Sequence, residues 1–140
     1  MDYKIDLKEP IPEMIERLKR EHVSLSKKLN EIEATTRMDP RMALEMLEAE
    51  SPRILKHAVE EEARIMRVIM EKAKLDSAES VRIMQEHRWV SEFLERGLPK
   101  LKVASKEQSR SEVDKFIHDI REHFAEEEET VFPLALKALE

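Results

Sequence analysis

Cysteine is absent from this 140-residue chain, and glycine, tryptophan and tyrosine occur once each. Without cysteine there are no disulfides, no thiolate metal sites and no cysteine nucleophile, which leaves histidine and carboxylate as the strong metal ligands. With so little glycine and aromatic residue, and with Ala, Leu, Glu, Lys, Arg and Met dominant, the inventory favours helix over sheet. No Gly-rich phosphate loop and no Ser-His-Asp nucleophile arrangement is present. No run of about 18 apolar residues exists to span a bilayer, and Met1 to Pro10 is charged and lacks an apolar signal core. The net charge of -6 mixes 25 Lys and Arg with 31 Asp and Glu and contains no basic block, so neither nucleic acid nor an anionic membrane is indicated as a partner. The expectation is a cytoplasmic chain forming one domain over residues 1–140, with 1–10 as an N-terminal arm.

The periodicity predicts four main helices. The first starts near Ile11, tolerates Pro12 in its first turn, and carries Met14, Ile15, Leu18, Leu25, Leu29 and Ile32 on one stripe. A break is expected at Thr35 to Asp39, with Asp39 capping the next helix and Pro40 at its first position. Pro52 suggests that this second helix is a short piece followed by the main helix to about Lys74. Asp76 with Glu79 resembles a capping box for helix 3, which should stop at Gly97, reinforced by Pro99. The longest connection is then Leu98 to Gln108, and Ser109 with Glu112 reads as the capping box of helix 4. Helix 4 turns Val113, Phe116, Ile117, Ile120, Phe124, Val131 and Leu134 inward, and Pro133 should kink it. The fold expected is all-α, an antiparallel up-down-up-down four-helix bundle.

Four of the five histidines fall in a repeat. His22 is followed by His57-x3-Glu61, and His87 by His123-x3-Glu127, so the second half restates the first with a shift of 65 to 66 residues. Residues four apart share a helix face, and each His-x3-Glu pair is bracketed by apolar stripe residues, so both pairs point inward. The midpoints between successive ligand positions fall at Asp39-Pro40, at Ala73 to Lys74 and near Lys106, each in or beside a connection. All six residues therefore share one layer of an antiparallel bundle. Burying unpaired carboxylates costs several kcal/mol, and metal coordination is the economical compensation. His118 lies about 140 degrees around the helix from His123 and should face solvent. Glu60, Glu62, Glu126, Glu128 and Glu129 read mainly as a solvated face, from which a glutamate could still enter as a partner of a ligand or as an occasional ligand, and Met42, Met46, Met66, Met70 and Met84 read as core filler. Trp89 is expected at the bundle edge.

These residues resemble the hemerythrin-like, or HHE cation-binding, family. The matching stretches are Lys19 to His22, His57 to Glu62, Gln85 to His87, and His123 to Pro133, which together cover almost the whole chain. The resemblance implies a non-heme di-iron centre: two Fe ions, terminal ligands His22, His57, His87 and His123, bridging Glu61 and Glu127, and an oxo or hydroxo bridge between the ions. It also implies a small partner molecule, O2, NO or a peroxide. The order His-x3-Glu argues against a ferritin-like site, which uses Glu-x-x-His. Oxygen-carrying members have a second helix 3 histidine one turn from the first; here Ile83 and Ser91 hold the candidate slots. The expected function is thus binding of dioxygen, nitric oxide or a related small ligand at an under-coordinated iron. A di-iron enzyme (peroxide or nitric oxide reductase, oxidase) and an iron-homeostasis or iron-donating module remain open alternatives.

Overall fold

The computed structural model describes residues 4–72 and 77–140. Within them the chain is helical and contains no strand. We denote as α1 the helix Ile11–Met38; as α2 residues 40–72; as α3 residues 77–101; and as α4 residues 106–138. The four form the antiparallel bundle that the stripes predict, with α1 packed on α2 and α4. The proposed cap at Asp76 lies outside the described residues.

Several helix limits differ from the sequence reading. The break at Thr35 shrinks to Asp39 alone, because Thr36 is fully buried and the helix runs to Met38 before the next begins. Asp39 does cap α2, accepting from the Met42 amide at 3.2 Å, with Pro40 at the first position. Pro52 does not divide α2: it sits on the exposed side between buried Leu47 and Ile54, and their packing carries the helix past one lost backbone bond.

Gly97 does not end α3. Its backbone is right-handed helical, with φ -71° and ψ -46°, and the helix continues through Pro99 to Leu101. A π-helical turn, Phe93–Gly97, makes this possible: the Leu98 amide reaches back five residues to the Phe93 carbonyl, shifting the register just where the Pro99 ring would otherwise collide. α4 opens earlier than Ser109, at Lys106, because Ser105 caps it through the Gln108 amide. Ser109 is instead buried and donates to the Leu101 carbonyl at 3.0 Å, tying the two helix ends together. Before Pro133 lies another π turn, Glu127–Val131, whose closing Phe132 amide bonds the Glu127 carbonyl.

The apolar interior is in two parts. One cluster holds Leu25, Leu29, Leu44, Ile54, Val90, Phe116, Ile120 and Phe124 among others. The other holds Ile11, Met14, Leu18, Ile65, Met66, Ile83, Val131 and Phe132. What lies between them is polar. Of the methionines, Met66 is fully buried, but Met42 and Met70 are about half exposed and fill no core. Trp89 packs at the margin against Phe116, ring centroids 5.6 Å apart.

Candidate metal centre

The layer between the two clusters contains all six residues singled out in the sequence. His22, His57, His87 and His123 are buried, and Glu61 and Glu127 are completely so. They fall into two overlapping sets, His22, His57, Glu61 and Glu127, and Glu61, His87, His123 and Glu127; within each set, one donor atom from every residue lies within 4.8 Å of the others. Both carboxylates belong to both sets. His118 is exposed, as expected, and pairs with Glu122 at 3.2 Å.

Local backbone helps to aim the carboxylates. Glu61 and Glu127 each open a π-helical turn, Glu61–Met66 and Glu127–Val131, at positions related by the 66-residue shift. A π turn widens the helix locally, and such turns recur where a functional side chain must be redirected.

The outward nitrogens of the four imidazoles are all occupied. Nδ1 of His22 meets Glu128 at 2.9 Å, that of His57 meets Glu21 at 2.8 Å, that of His87 meets Glu62 at 3.1 Å, and that of His123 meets Glu86 at 3.1 Å. An ionised carboxylate can only accept, so each ring carries a proton on Nδ1 and turns the Nε2 lone pair inward. Four Nε2 atoms and four carboxylate oxygens thus converge. Nε2 of His22 and of His57 stand 3.0 Å apart, and neither has a proton to offer the other in the neutral tautomers. Both oxygens of Glu61, both of Glu127, and Nε2 of His87 have no hydrogen-bond partner, although Glu61 and Glu127 lie 3.0 Å and 3.2 Å from the Nε2 atoms of His57 and His123. Among the described residues no lysine or arginine is buried to neutralise the pair.

Acceptors gathered without donors, and carboxylates buried without partners, would be costly in a metal-free core. The donor set suits cations: nitrogen and oxygen atoms, with two carboxylates placed to be shared. Without metal, protons must serve. Burial pulls the His57 pKa down, but Glu61 and Glu21 outweigh it and push it up to about 9. At His87 burial is likewise overcome by Glu61 and Glu62, again to about 9. Burial and the neighbouring charged imidazole push His22 and His123 down. Burial opposes ionisation of Glu61, yet His57 and His87 hold it well below the usual carboxylate range. Near neutral pH each four-residue set of the metal-free chain therefore holds one proton beyond those on Nδ1, on His57 in one set and on His87 in the other.

The outer carboxylates were legible only in part. Glu62 and Glu128 read as solvated, and they are partly exposed, but each supports a histidine on another helix. Glu60 is buried, against expectation, because Arg17 reaches it at 2.5 Å and also binds Glu21 and Glu9. The signal for these partners was the same repeat: Glu21 and Glu86 precede His22 and His87, and Arg17 with Glu60 is restated as Arg82 with Glu126, which also form an ion pair. Among the described residues, the arm's side-chain bonds go to the first copy. Glu9 clamps Arg17, and Arg64 on α2 donates to the Asp6 and Glu9 carbonyls.

Fold and layer together define a helical bundle with a buried His and Glu donor set that could hold a cation. The family model of the hemerythrin HHE cation binding domain matches residues 13–135, and the chain belongs to that family. No curated protein and no solved structure gives a significant match. No helix among the described residues is long and apolar enough to cross a membrane.

Proposed function

We propose that this chain is a di-iron protein that binds dioxygen, nitric oxide or a related small ligand. His22 and His57 would hold one ion and His87 and His123 the other, with Glu61 and Glu127 shared between them. The observation that carries this reading is the pair of overlapping donor sets with both carboxylates in common and their oxygens otherwise unpartnered. Family membership supports a cation there. Iron is favoured because imidazole and carboxylate suit it, and when bound it would supply reversible electron donation to a small ligand.

The protein's part is binding and exclusion. Four Nδ1–H to carboxylate bonds fix ring orientation and raise ligand basicity. The apolar clusters above and below keep bulk water from the layer. Only four histidines face the layer, since Ile83 lies fully buried in the second cluster and Ser91 half-buried at a groove wall. Coordination left over at the ions is then available to a ligand.

Elemental analysis after iron reconstitution should give about two Fe per chain. Anaerobic absorption spectra should change on adding oxygen or nitric oxide. A ceiling of one tightly held ion overturns the paired centre, and stoichiometric zinc with no iron uptake overturns the redox reading.

A further inference from the structure

The arm ahead of α1 is fastened to the bundle largely by arginine. Residues 4–10 form neither helix nor strand, and Leu7 is 71% exposed. Two arginines from different helices hold them. Arg64 on α2 donates to the Asp6 carbonyl and, at 2.6 Å, to the Glu9 carbonyl. Arg17 on α1 presents Nε and Nη2 to the two oxygens of the Glu9 carboxylate at 3.0 and 2.9 Å. A two-point bond of this kind fixes the plane of the guanidinium as well as its position.

The same guanidinium reaches the support of a candidate ligand. Its Nη1 donates to Oε2 of Glu21 at 2.6 Å, and Nη2 also meets Glu60 on α2 at 2.5 Å. The other oxygen of Glu21, Oε1, accepts from Nδ1 of His57 at 2.8 Å. Each oxygen of Glu21 is thus held by a different partner, and the carboxylate cannot turn without loosening one of them. Three contacts in series, Glu9 to Arg17, Arg17 to Glu21 and Glu21 to His57, join the exposed arm to a buried imidazole. The Nε2 lone pair of His57 stays aimed inward as long as Nδ1–H stays on that carboxylate.

We propose that residues 4–10 are a latch on the His57 side of the layer: with Glu9 docked on Arg17 the imidazole is held in its ligating pose, and with the arm lifted the cation is lost faster. Arg17 is then a positioning residue, acting through Glu21. The coupling is reciprocal, so a cation bound at His57 also holds the arm down. Because the arm lies at the surface, whatever displaces it reaches the layer without opening the apolar clusters. The inference rests on the reading of the layer as a cation site, whichever cation it holds.

The test uses the full chain with Zn²⁺ as the probe. Because the chain has no cysteine, Leu7→Cys gives one attachment point for a fluorophore whose anisotropy reports how freely the arm moves. Zn²⁺ should slow that motion, and Arg64→Gln, at a residue bonded to the arm rather than to Arg17 or Glu21, should restore it. Without the label, Glu9→Gln and Arg64→Gln should each speed release of Zn²⁺ to excess chelator by about fivefold, less than the roughly 10- to 100-fold expected of a carboxylate that touches the ligand itself. Glu71→Gln, which loosens an exposed pair with Arg67, should leave the release rate alone. A purely local effect of the Glu9 charge would not appear in Arg64→Gln. Zn²⁺ bound with no change in arm motion, or unaltered release in either folded latch variant, would overturn the latch and leave the cation site standing. Uptake of neither Zn²⁺ nor Fe²⁺ would sink the cation reading, and the latch with it.

Discussion

At the scale of single residues, the layer gathers more buried acceptors than the protein has donors facing them. Glu61→Ala or Glu127→Ala removes an oxygen pair common to both donor sets, so either should abolish paired metal binding. His118→Ala should leave metal content unchanged, because that side chain is exposed and pairs with Glu122. Elemental analysis of the three variants checks the inside-outside assignment, and equal content in all three would refute it. The outer carboxylates act one bond further away. Glu62→Gln and Glu86→Gln keep shape but weaken the charge-assisted bond to His87 or His123, and should lower metal affinity by about 10- to 100-fold. Competition with a chelator of known affinity measures it.

At the scale of helices, the π turns have two separate origins. The turn at Glu127 precedes Pro133, but its counterpart at Glu61 occurs with Arg67 in the equivalent place, so proline is not what creates the turn at a carboxylate. Pro133→Ala should therefore change metal affinity by no more than about twofold, well inside the spread of supporting-residue effects. The turn at Phe93–Gly97 carries no candidate ligand and precedes Pro99, whose counterpart in α1 is Ala34, within a regular helix. Pro99→Ala should let this turn become α-helical and raise stability by roughly 1–3 kcal/mol, the range set by helix propensity of proline against alanine. Denaturant midpoints of both variants, read with metal affinity, separate the two origins.

At the scale of the whole molecule, the proposed centre makes protons and metal compete for one cage. His57 and His87 have folded pKa values near 9 against an ordinary 6.5, so their contribution to stability is complete below about 6.5 and is lost as pH rises through 9. His22 and His123 are shifted the other way, and their contribution is lost as pH falls below about 6.5. The metal-free chain should thus be most stable near pH 6.5 and weaken on both sides. Metal must displace the two extra protons, so its apparent affinity should climb steeply from pH 6.5 to 9. Thermal midpoints of chelated and loaded protein across pH 5.5 to 9.5 should converge at the acidic end and diverge at the alkaline end. A gap that does not widen with pH would show that the histidines are not where metal binds.

The sequence by itself determined the helical class, the four stripes and the layer of six residues, because helical periodicity and distance from each turn are local arithmetic: residues equally far from a hairpin must sit at equal height. It also carried the repeat that relates the two halves. Tertiary structure decided the rest. Whether Pro52, Gly97 or Pro99 interrupts a helix depends on packing and on a register shift that no local signal specifies. Which glutamate supports which histidine is settled across helices, Glu21 serving His57 rather than its neighbour His22. The difference between Phe124 and its counterpart Ala58 is written in the sequence, but only the stacking of the phenyl ring on His22 gives it a physical meaning.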